Sequence, residues 1–548
     1  MEYNLAQVHS AIAQAIPDRE AIVWRDRRIT YGQLDERTNR LANVLVAAGL
    51  GARGDRSGLA GHESNNDHLA VYLHNGNEYL EAMLGAFKGR CAPFNVNYRY
   101  VAEELRYLLN DSQARSLVFH STFADNVAEV RDALPNLTVL LQVDDGSGAP
   151  LLDGAQWYEE ALAAASADSP AVEYTPDDLY ILYTGGTTGM PKGVLWRQAD
   201  IFVASLGGRA GAAEWESLDA IVETAKAGGG KVLPGAPFMH GAGHWVALSA
   251  FTGGNTVVIQ SDVVGLDPDD IWSTVAREGA SMLLIVGDAF GRPLVDQLEK
   301  VGPDKYDLSS LFAIISGGAP LNSTIKDRML AALPGKMIID AVGASETGTQ
   351  MSHVSAGAGS TTGTFTPGPG AVIVNPELTA VLDAGHEEVG WLAQQGRVPL
   401  GYLGDPEKTA KTFPVIGGVR YSVPGDRARL TVDNIIELYG RDSVTINSGG
   451  EKIFAEEVEQ ALAHHPDVYD VTVAGRPSDK WGAEVVAIVQ LREGVSADDV
   501  VRKSLLTEAE KHIARFKLPK AFKFVDHVQR SPSGKADYRW AKAQAEDA

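Results

Sequence analysis

The chain has 548 residues, 45% of them hydrophobic, and a formal net charge of −23. That length exceeds one ordinary domain and calls for at least two, and a surface this acidic repels phosphodiester backbones and anionic lipid, which argues against nucleic acid and against tight membrane docking. No apolar run approaches the roughly 18–20 residues that span a bilayer, the N-terminus lacks a basic-then-apolar leader, and the lone Cys91 has no partner for an internal disulfide, so a reducing cytoplasm is expected.

In chain order, residues 21–30 read as a short hairpin with Asp26 near its tip. Thr30 and Gln33 then form a capping box for a helix reaching about residue 48, ended by Gly49 and Gly51. Residues 51–67 read as a polar loop. Apolar strand candidates follow at 68–73, 117–119, 139–143 and 179–183, with a helix at 77–88 after the first. The alternation predicts largely parallel sheets with crossover helices. Residues 205–230, rich in Gly and Ala, read as a mobile excursion around a short helix at 217–225. Strands resume at 255–259, 281–286, 311–315 and 336–340, each running out into Gly or polar residues. In open parallel sheets ligands bind beyond such carboxyl ends. Residues 355–370 are a Gly/Ser/Thr/Pro loop. Past residue 440 a shorter unit begins: helix 456–464, strands 468–474 and 484–491, helix 497–514 and strand 521–528. The expected fold is α/β: a large N-terminal domain at 1–440 of mixed and parallel sheets with crossover helices, and a small α+β domain at 441–548.

The segment with the most chemistry is 183–194, YTGGTTGMPKGV. It packs four glycines, three threonines and Lys192 into twelve residues after an apolar strand. Glycines let backbone N–H groups approach a ligand, and such turns present donors to phosphate oxygens. The spacing is not that of the common phosphate loop, in which Gly-Lys-Ser/Thr follows a glycine and four residues. The segment resembles the signature loop of the adenylate-forming enzymes, a superfamily of acyl-CoA synthetases, non-ribosomal adenylation domains and beetle luciferases.

Six further segments resemble that superfamily's motifs, five of them in the same order after the loop. The turn at 316–321, SGGAPL, resembles the segment lining adenine and ribose, which implies roles for Gly317, Gly318, Ala319 and Pro320. Residues 340–348 resemble the motif Tyr-Gly-x-Thr-Glu, with Val342, Gly343, Ser345 and Glu346 at the corresponding places and valine replacing the usual tyrosine. A carboxylate there suits Mg²⁺, which requires hard oxygen ligands beside phosphates. Asp426, in YSVPGD, is implied to accept both ribose hydroxyls. Residues 440–453 resemble the domain junction: Arg441 is the nucleotide-contacting arginine, and Gly449 and Gly450 stand where the pantetheine arm of CoA passes. The hinge position falls on Ser443, with Asp442 beside it, and Asn447 stands where that family usually carries lysine. Lys535, in SPSGKADYR, resembles the adenylation lysine. His240, in PFMHG, resembles the histidine bordering the acyl carboxylate. The small residues Gly241, Ala242 and Gly243 leave room for a wide or long acyl group, with His244 and Trp245 placed to gate it.

The resemblance covers the whole chain and is nearest to actinobacterial fatty-acid and steroid side-chain CoA ligases. It implies an AMP-forming acyl-CoA synthetase that uses ATP, Mg²⁺ and CoA. Thr184, Gly185, Gly186, Thr187, Thr188 and Lys192 would handle phosphates. Lys535, Glu346, Thr188 and His240 would serve catalysis, and the C-terminal domain would be mobile. The substrate is expected to be a long-chain fatty or steroid side-chain acid, and the resemblance leaves room for a homo-oligomer. Rival readings are an acyl-AMP ligase loading a carrier protein, a luciferase-like oxygenase and a catalytically idle nucleotide-binding regulator.

Overall fold

The structure is a computed structural model that describes residues 2–548 except 185–189, 303, 449–450, 479–480 and 532–533. Two large sheets form the N-terminal region. In the first, parallel strands lie in the order Glu20–Trp24, Thr256–Ile259, Lys231–Pro234, Met282–Ile285, Ala313–Gly317 and Met337–Ala344. The second is centred on His68–Tyr72, flanked in parallel by Ala92–Asn95 and Ser116–His120. It continues through Leu179–Thr184 to the antiparallel strand Lys192–Arg197. The helices between these strands are amphipathic or wholly buried, as crossover connections require.

The capping box forms as expected: Gln33 N donates to Thr30 Oγ1 at 3.2 Å and Thr30 N to Gln33 Oε1 at 2.9 Å, opening the helix Tyr31–Ala47. The helix Asn77–Lys88 is buried on every side. Its charged residues persist there because they are paired, with Glu81 meeting Arg37 at 2.7 Å and Lys88 meeting Asp35.

The structure adds elements that the sequence pattern does not announce. The helix Leu5–Ala15 precedes the first hairpin. Ala92–Asn95 is a fully buried central strand despite Pro93. The strand ending the 336–340 segment runs on to Ala344 and returns as Gly348–Ser355, so the 340–348 motif is a hairpin turn. From Thr364 to Arg441 the first sheet continues as short antiparallel strands, except that Gly401–Tyr402 pairs instead with Lys192–Arg197 of the second sheet. The 205–230 excursion holds the helix Leu218–Ala227, capped by Ser217, and its hairpin is pinned by Glu214 to Arg397 at 2.8 Å.

The C-terminal region has its own sheet among the described residues. Val468–Ser478 and Gly482–Leu491 pair antiparallel, Ile446–Ser448 and Glu451–Ile453 extend one edge, and Ala521–Phe524 joins in parallel. Helices Ala455–Ala463, Asp499–Ala509 and Tyr538–Glu546 accompany it, the last beyond the sequence expectation. This region buries a core of its own around Ile453, Val458, Leu462, Val473, Val489 and Leu505. No helix among the described residues is long and apolar enough to cross a membrane.

Candidate active site

The site lies where strands of both sheets end and the C-terminal region docks. The strand Leu179–Thr184 delivers the chain into the glycine loop, and Thr184 pairs with Lys192 where the chain returns. Gly193 is required here, since a Cβ would stand 2.9 Å from the Tyr183 ring. Gly185, Gly186, Thr187 and Thr188 lie outside the described residues. Lys192 Nζ sits 3.6 Å from Asp405 Oδ2 and 4.0 Å from Asp111 Oδ1. These long, divided contacts leave the ammonium available to a stronger anion.

Glu346 projects from the turn between Met337–Ala344 and Gly348–Ser355, and three separate strands fix it. Trp196 Nε1 donates to Ser345 O at 2.9 Å, Ser422 Oγ to Glu346 O at 2.5 Å, and Tyr402 Oη to Glu346 Oε1 at 2.7 Å. Gly343 has the Gly348 carbonyl against the place a Cβ would take, so the hairpin closes only with glycine there. Val342 packs against the buried cluster that includes Met351 and Phe365. Gly317 ends its strand and Gly318 adopts φ +83°, turning the chain into Ala319 and Pro320, whose carbonyl accepts from Asp288 N at 3.1 Å.

Asp426 and Arg441 face each other across an antiparallel pair, with Arg441 Nε 3.4 Å from Asp426 Oδ1. Asp426, and after it Glu346 and Glu456, raise the Arg441 pKa. Lys535 stands within electrostatic reach of Arg441, Glu346 and Asp426. Its side chain is solvent-exposed, while the protein packed around the ammonium and the Arg441 charge push its pKa below the ordinary lysine value. The turn carrying it is closed by Ser531 N donating to Lys535 O at 2.8 Å. Gly534, at φ +73°, rests on the large region: a Cβ there would lie 3.1 Å from Ala289 Cβ and 3.2 Å from Val286 Cγ1. The C-terminal region is thus oriented with Lys535 at the Glu346–Asp426–Arg441 group. Gly449 and Gly450 lie outside the described residues.

His240 stands at the N-cap position of the helix Gly241–Thr252 and makes no side-chain capping bond to it. Asn95, on the strand unseen in sequence, ties this corner to the glycine loop. Its Nδ2 donates to Tyr183 O at 2.9 Å and Met239 O at 2.7 Å, and its Oδ1 accepts from Tyr183 N at 2.8 Å. The smallness of the following run has two origins. Gly243 is dictated by packing, because a Cβ would stand 2.5 Å from Pro237 O. Ala242 instead borders an apolar cluster of Ala236, Leu284, Val286, Val246, Ile315 and Ala319, reaching the nucleotide-side turn. His244 is fully enclosed. Nδ1 donates to Phe238 O at 2.6 Å and Nε2 meets Tyr180 Oη at 2.5 Å, which also accepts from Trp245 Nε1 at 2.9 Å. Burial lowers the His244 pKa to about 4, so the ring stays neutral near pH 7. Gating by His244 or Trp245 would therefore have to break this buried chain.

Two residues that the motifs do not single out complete the cleft. Tyr402 orients Glu346, and Lys408 Nζ lies 4.0 Å from the centre of the Tyr402 ring. Their signal is only the run GYLGDPEKT, unremarkable without the fold. No cluster of three or more His, Cys, Asp or Glu residues able to hold a metal occurs among the described residues. A Mg²⁺ ion carried by a nucleotide needs less, one or two carboxylates beside the phosphates, and the half-buried Glu346 fits that demand. A surface groove of about 510 Å³ lined by Arg27, Arg28, Arg37 and Asn77 shares no lining residue with this cleft. Its arginines are already paired with Glu78, Glu278 and Glu81.

Comparison with known proteins gives a consistent result. The family described as AMP-binding enzyme matches residues 10–402, and the AMP-binding enzyme C-terminal domain matches 457–535. The chain is 54% identical to the medium-chain acyl-CoA ligase Mig of Mycobacterium avium, covering 99% of this chain and 98% of that protein. It is 39% identical to the 3-oxocholest-4-en-26-oate–CoA ligase of Rhodococcus rhodochrous, covering 99% and 96%. The fold superposes on the anthranilate CoA ligase AuaEII, solved with anthranoyl-AMP, with a TM-score of 0.82 at 20% identity over 99% of this chain and 97% of that one.

Proposed function

This chain belongs to the AMP-binding enzyme family, and we propose that it is an ATP-dependent, AMP-forming acyl-CoA synthetase for medium- to long-chain fatty acids or a steroid side-chain acid. The observation that carries this reading is the convergence of Glu346, Asp426, Arg441 and Lys535 from four separate segments on one cleft, with Lys192 at its edge.

In the first half-reaction a carboxylate oxygen attacks the α-phosphorus of ATP. The bond to the bridging oxygen breaks, and pyrophosphate leaves with the electron pair. No protein nucleophile is needed. The difficulty is that anion meets anion, so positioning and charge neutralisation carry the rate. Lys535 neutralises charge where the carboxylate and α-phosphate meet, and Lys192 with the threonines of 184–188 holds the β- and γ-phosphates. Asp426 accepts from the ribose hydroxyls and is itself steadied by Arg441. Glu346, oriented by Tyr402, would hold Mg²⁺, which supplies further charge neutralisation on the phosphates when bound. His240 borders the acyl carboxylate, and the apolar cluster around Ala242 takes the first part of the acyl chain.

In the second half-reaction the CoA thiol, as thiolate, attacks the acyl carbonyl and AMP departs. The small domain, with its boundary at 440/441, turns about Asp442–Ser443 and replaces Lys535 by Gly449 and Gly450. A cytoplasmic setting suits the buried free thiol of Cys91. The test is a screen of pyrophosphate release over carboxylic acids from acetate to steroidal acids. Medium or longer acids should be preferred, and a preference for acetate or propionate would sink the substrate assignment.

A further inference from the structure

On the reading above, we propose that Lys408 is a further nucleotide-binding residue, contacting the β,γ end of ATP and the pyrophosphate formed from it. The short helix Pro406–Thr412 that carries Lys408 is fastened to the strand leaving the glycine loop. Tyr402 pairs with Val194, and Leu403 N donates to Gly193 O at 2.8 Å. Asp405 links the two lysines directly. Its Oδ1 accepts the backbone N–H of Lys408 at 2.9 Å, capping the helix, while its Oδ2 faces Lys192 Nζ at 3.6 Å. One carboxylate therefore holds Lys192 and the base of Lys408 side by side.

The Lys408 side chain lies over the Tyr402 ring, 4.0 Å from its centre, and that ring's hydroxyl donates to Glu346 Oε1 at 2.7 Å. Lys408 is thus placed beside the carboxylate assigned to the phosphate-bound Mg²⁺. Among the described residues it forms no ion pair, and it is half-buried. Burial pushes its pKa down, Lys192 and Arg441 add to that, and Glu346 and Asp405 oppose it. Such an ammonium is short of counter-charge until an anion arrives. Its surroundings also explain the placement: Lys192 alone would face a leaving group carrying several negative charges while shared between two aspartates. A second cation beside it, over the Tyr402 ring, supplies the missing neutralisation.

A purely structural role, as a cation stacked on Tyr402, makes a different prediction. Lys408→Met keeps the packing on the ring and removes only the charge. Calorimetric titration of the full chain with ATP and, separately, with AMP, both with Mg²⁺ and without any acid, distinguishes the two. Lys408→Met should weaken ATP binding about tenfold or more and leave AMP within about twofold, because AMP lacks the β,γ end. Lys408→Arg should retain most of the ATP affinity. An unchanged ratio of ATP to AMP affinity, or an equal loss of both, overturns the assignment. Wild-type protein that binds no ATP would instead overturn the parent reading, and the Lys408 assignment with it.

Discussion

On the proposed mechanism, each charged side chain in the cleft has a distinct task. Lys535→Ala should lower adenylate formation by about 10²–10³-fold, the scale for one preorganised charge at a reacting centre. Thioester formation from supplied acyl-AMP should survive, because on the proposed mechanism that step uses another orientation of the small domain. Equal loss of both half-reactions in a folded variant would contradict the alternation. Glu456 adds a dependence on pH. Its Oε2 occupies the position a Cβ on Gly440 would take, and burial, then Glu459 and Asp426, raise its pKa to about 8. In an exposed setting the same carboxyl would titrate near the ordinary glutamate value of 4.5. On the proposed alternation, the orientation seen here binds a proton that an orientation exposing Glu456 releases. It is favoured at low pH and loses that advantage as pH rises from the ordinary glutamate range through about 8. ATP–pyrophosphate exchange divided by thioester formation should fall across that window in the wild type, and Glu456→Gln should flatten the fall. An unaltered profile in the variant would remove Glu456 from the coupling.

At the scale of elements, the helix Gly241–Thr252 shows how one short run serves packing and specificity together. Gly243 is fixed by the Pro237 carbonyl, whereas Ala242 looks into the apolar cluster near Ala319. Ala242→Trp should discriminate against long or steroidal acids relative to short ones, since overfilling costs about 1–3 kcal/mol even where neighbours yield. A kcat/KM ratio between long and short acids that does not move would place the acyl chain elsewhere. The same elements show what sequence makes legible. Strands at 68–72, 139–143 and 179–184 are continuous apolar runs bounded by turn residues, and a run of that kind between helices reads directly as a buried parallel strand. Ala92–Asn95 escapes because four residues containing proline and asparagine carry no period, although Asn95 holds the glycine loop to His240's turn. Residues 401–441 escape for a related reason. Their strands are as short as two residues and take their register from neighbours, so Tyr402 and Lys408 became visible only once the sheet brought them beside Glu346. The motif residues themselves were legible because loops at strand ends require particular residue types rather than periods.

At the scale of the whole molecule, the orientation of the C-terminal region is held, among the described residues, by contacts spread over several elements, including Arg427 with Asp442 at 2.9 Å and the stacked rings of Tyr439 and Phe454. Arg292 lies 4.8 Å from the centre of the Tyr469 ring and 3.9 Å from Asp470 Oδ1, which is paired with Arg530 at 2.6 Å. Ser323 Oγ meets His464 Nε2 at 3.3 Å, and Gly534 rests on Ala289 and Val286. On the proposed alternation, these contacts are made and broken in each turnover. Arg292→Ala should therefore slow adenylation, by about tenfold if the lost contact is worth about 1.4 kcal/mol, while sparing thioester formation from acyl-AMP. Equal effects on both steps would show that Arg292 stabilises the fold rather than this orientation.

The central claim is tested most directly by the product balance of a single incubation with ATP, Mg²⁺, CoA and a medium- or long-chain acid. The account predicts one pyrophosphate, one AMP and one acyl-CoA for each acid consumed. Pyrophosphate and AMP should both depend on the acid, and acyl-CoA should depend on free CoA. ADP and phosphate as products, or acid-dependent pyrophosphate without any acyl-CoA, would contradict it.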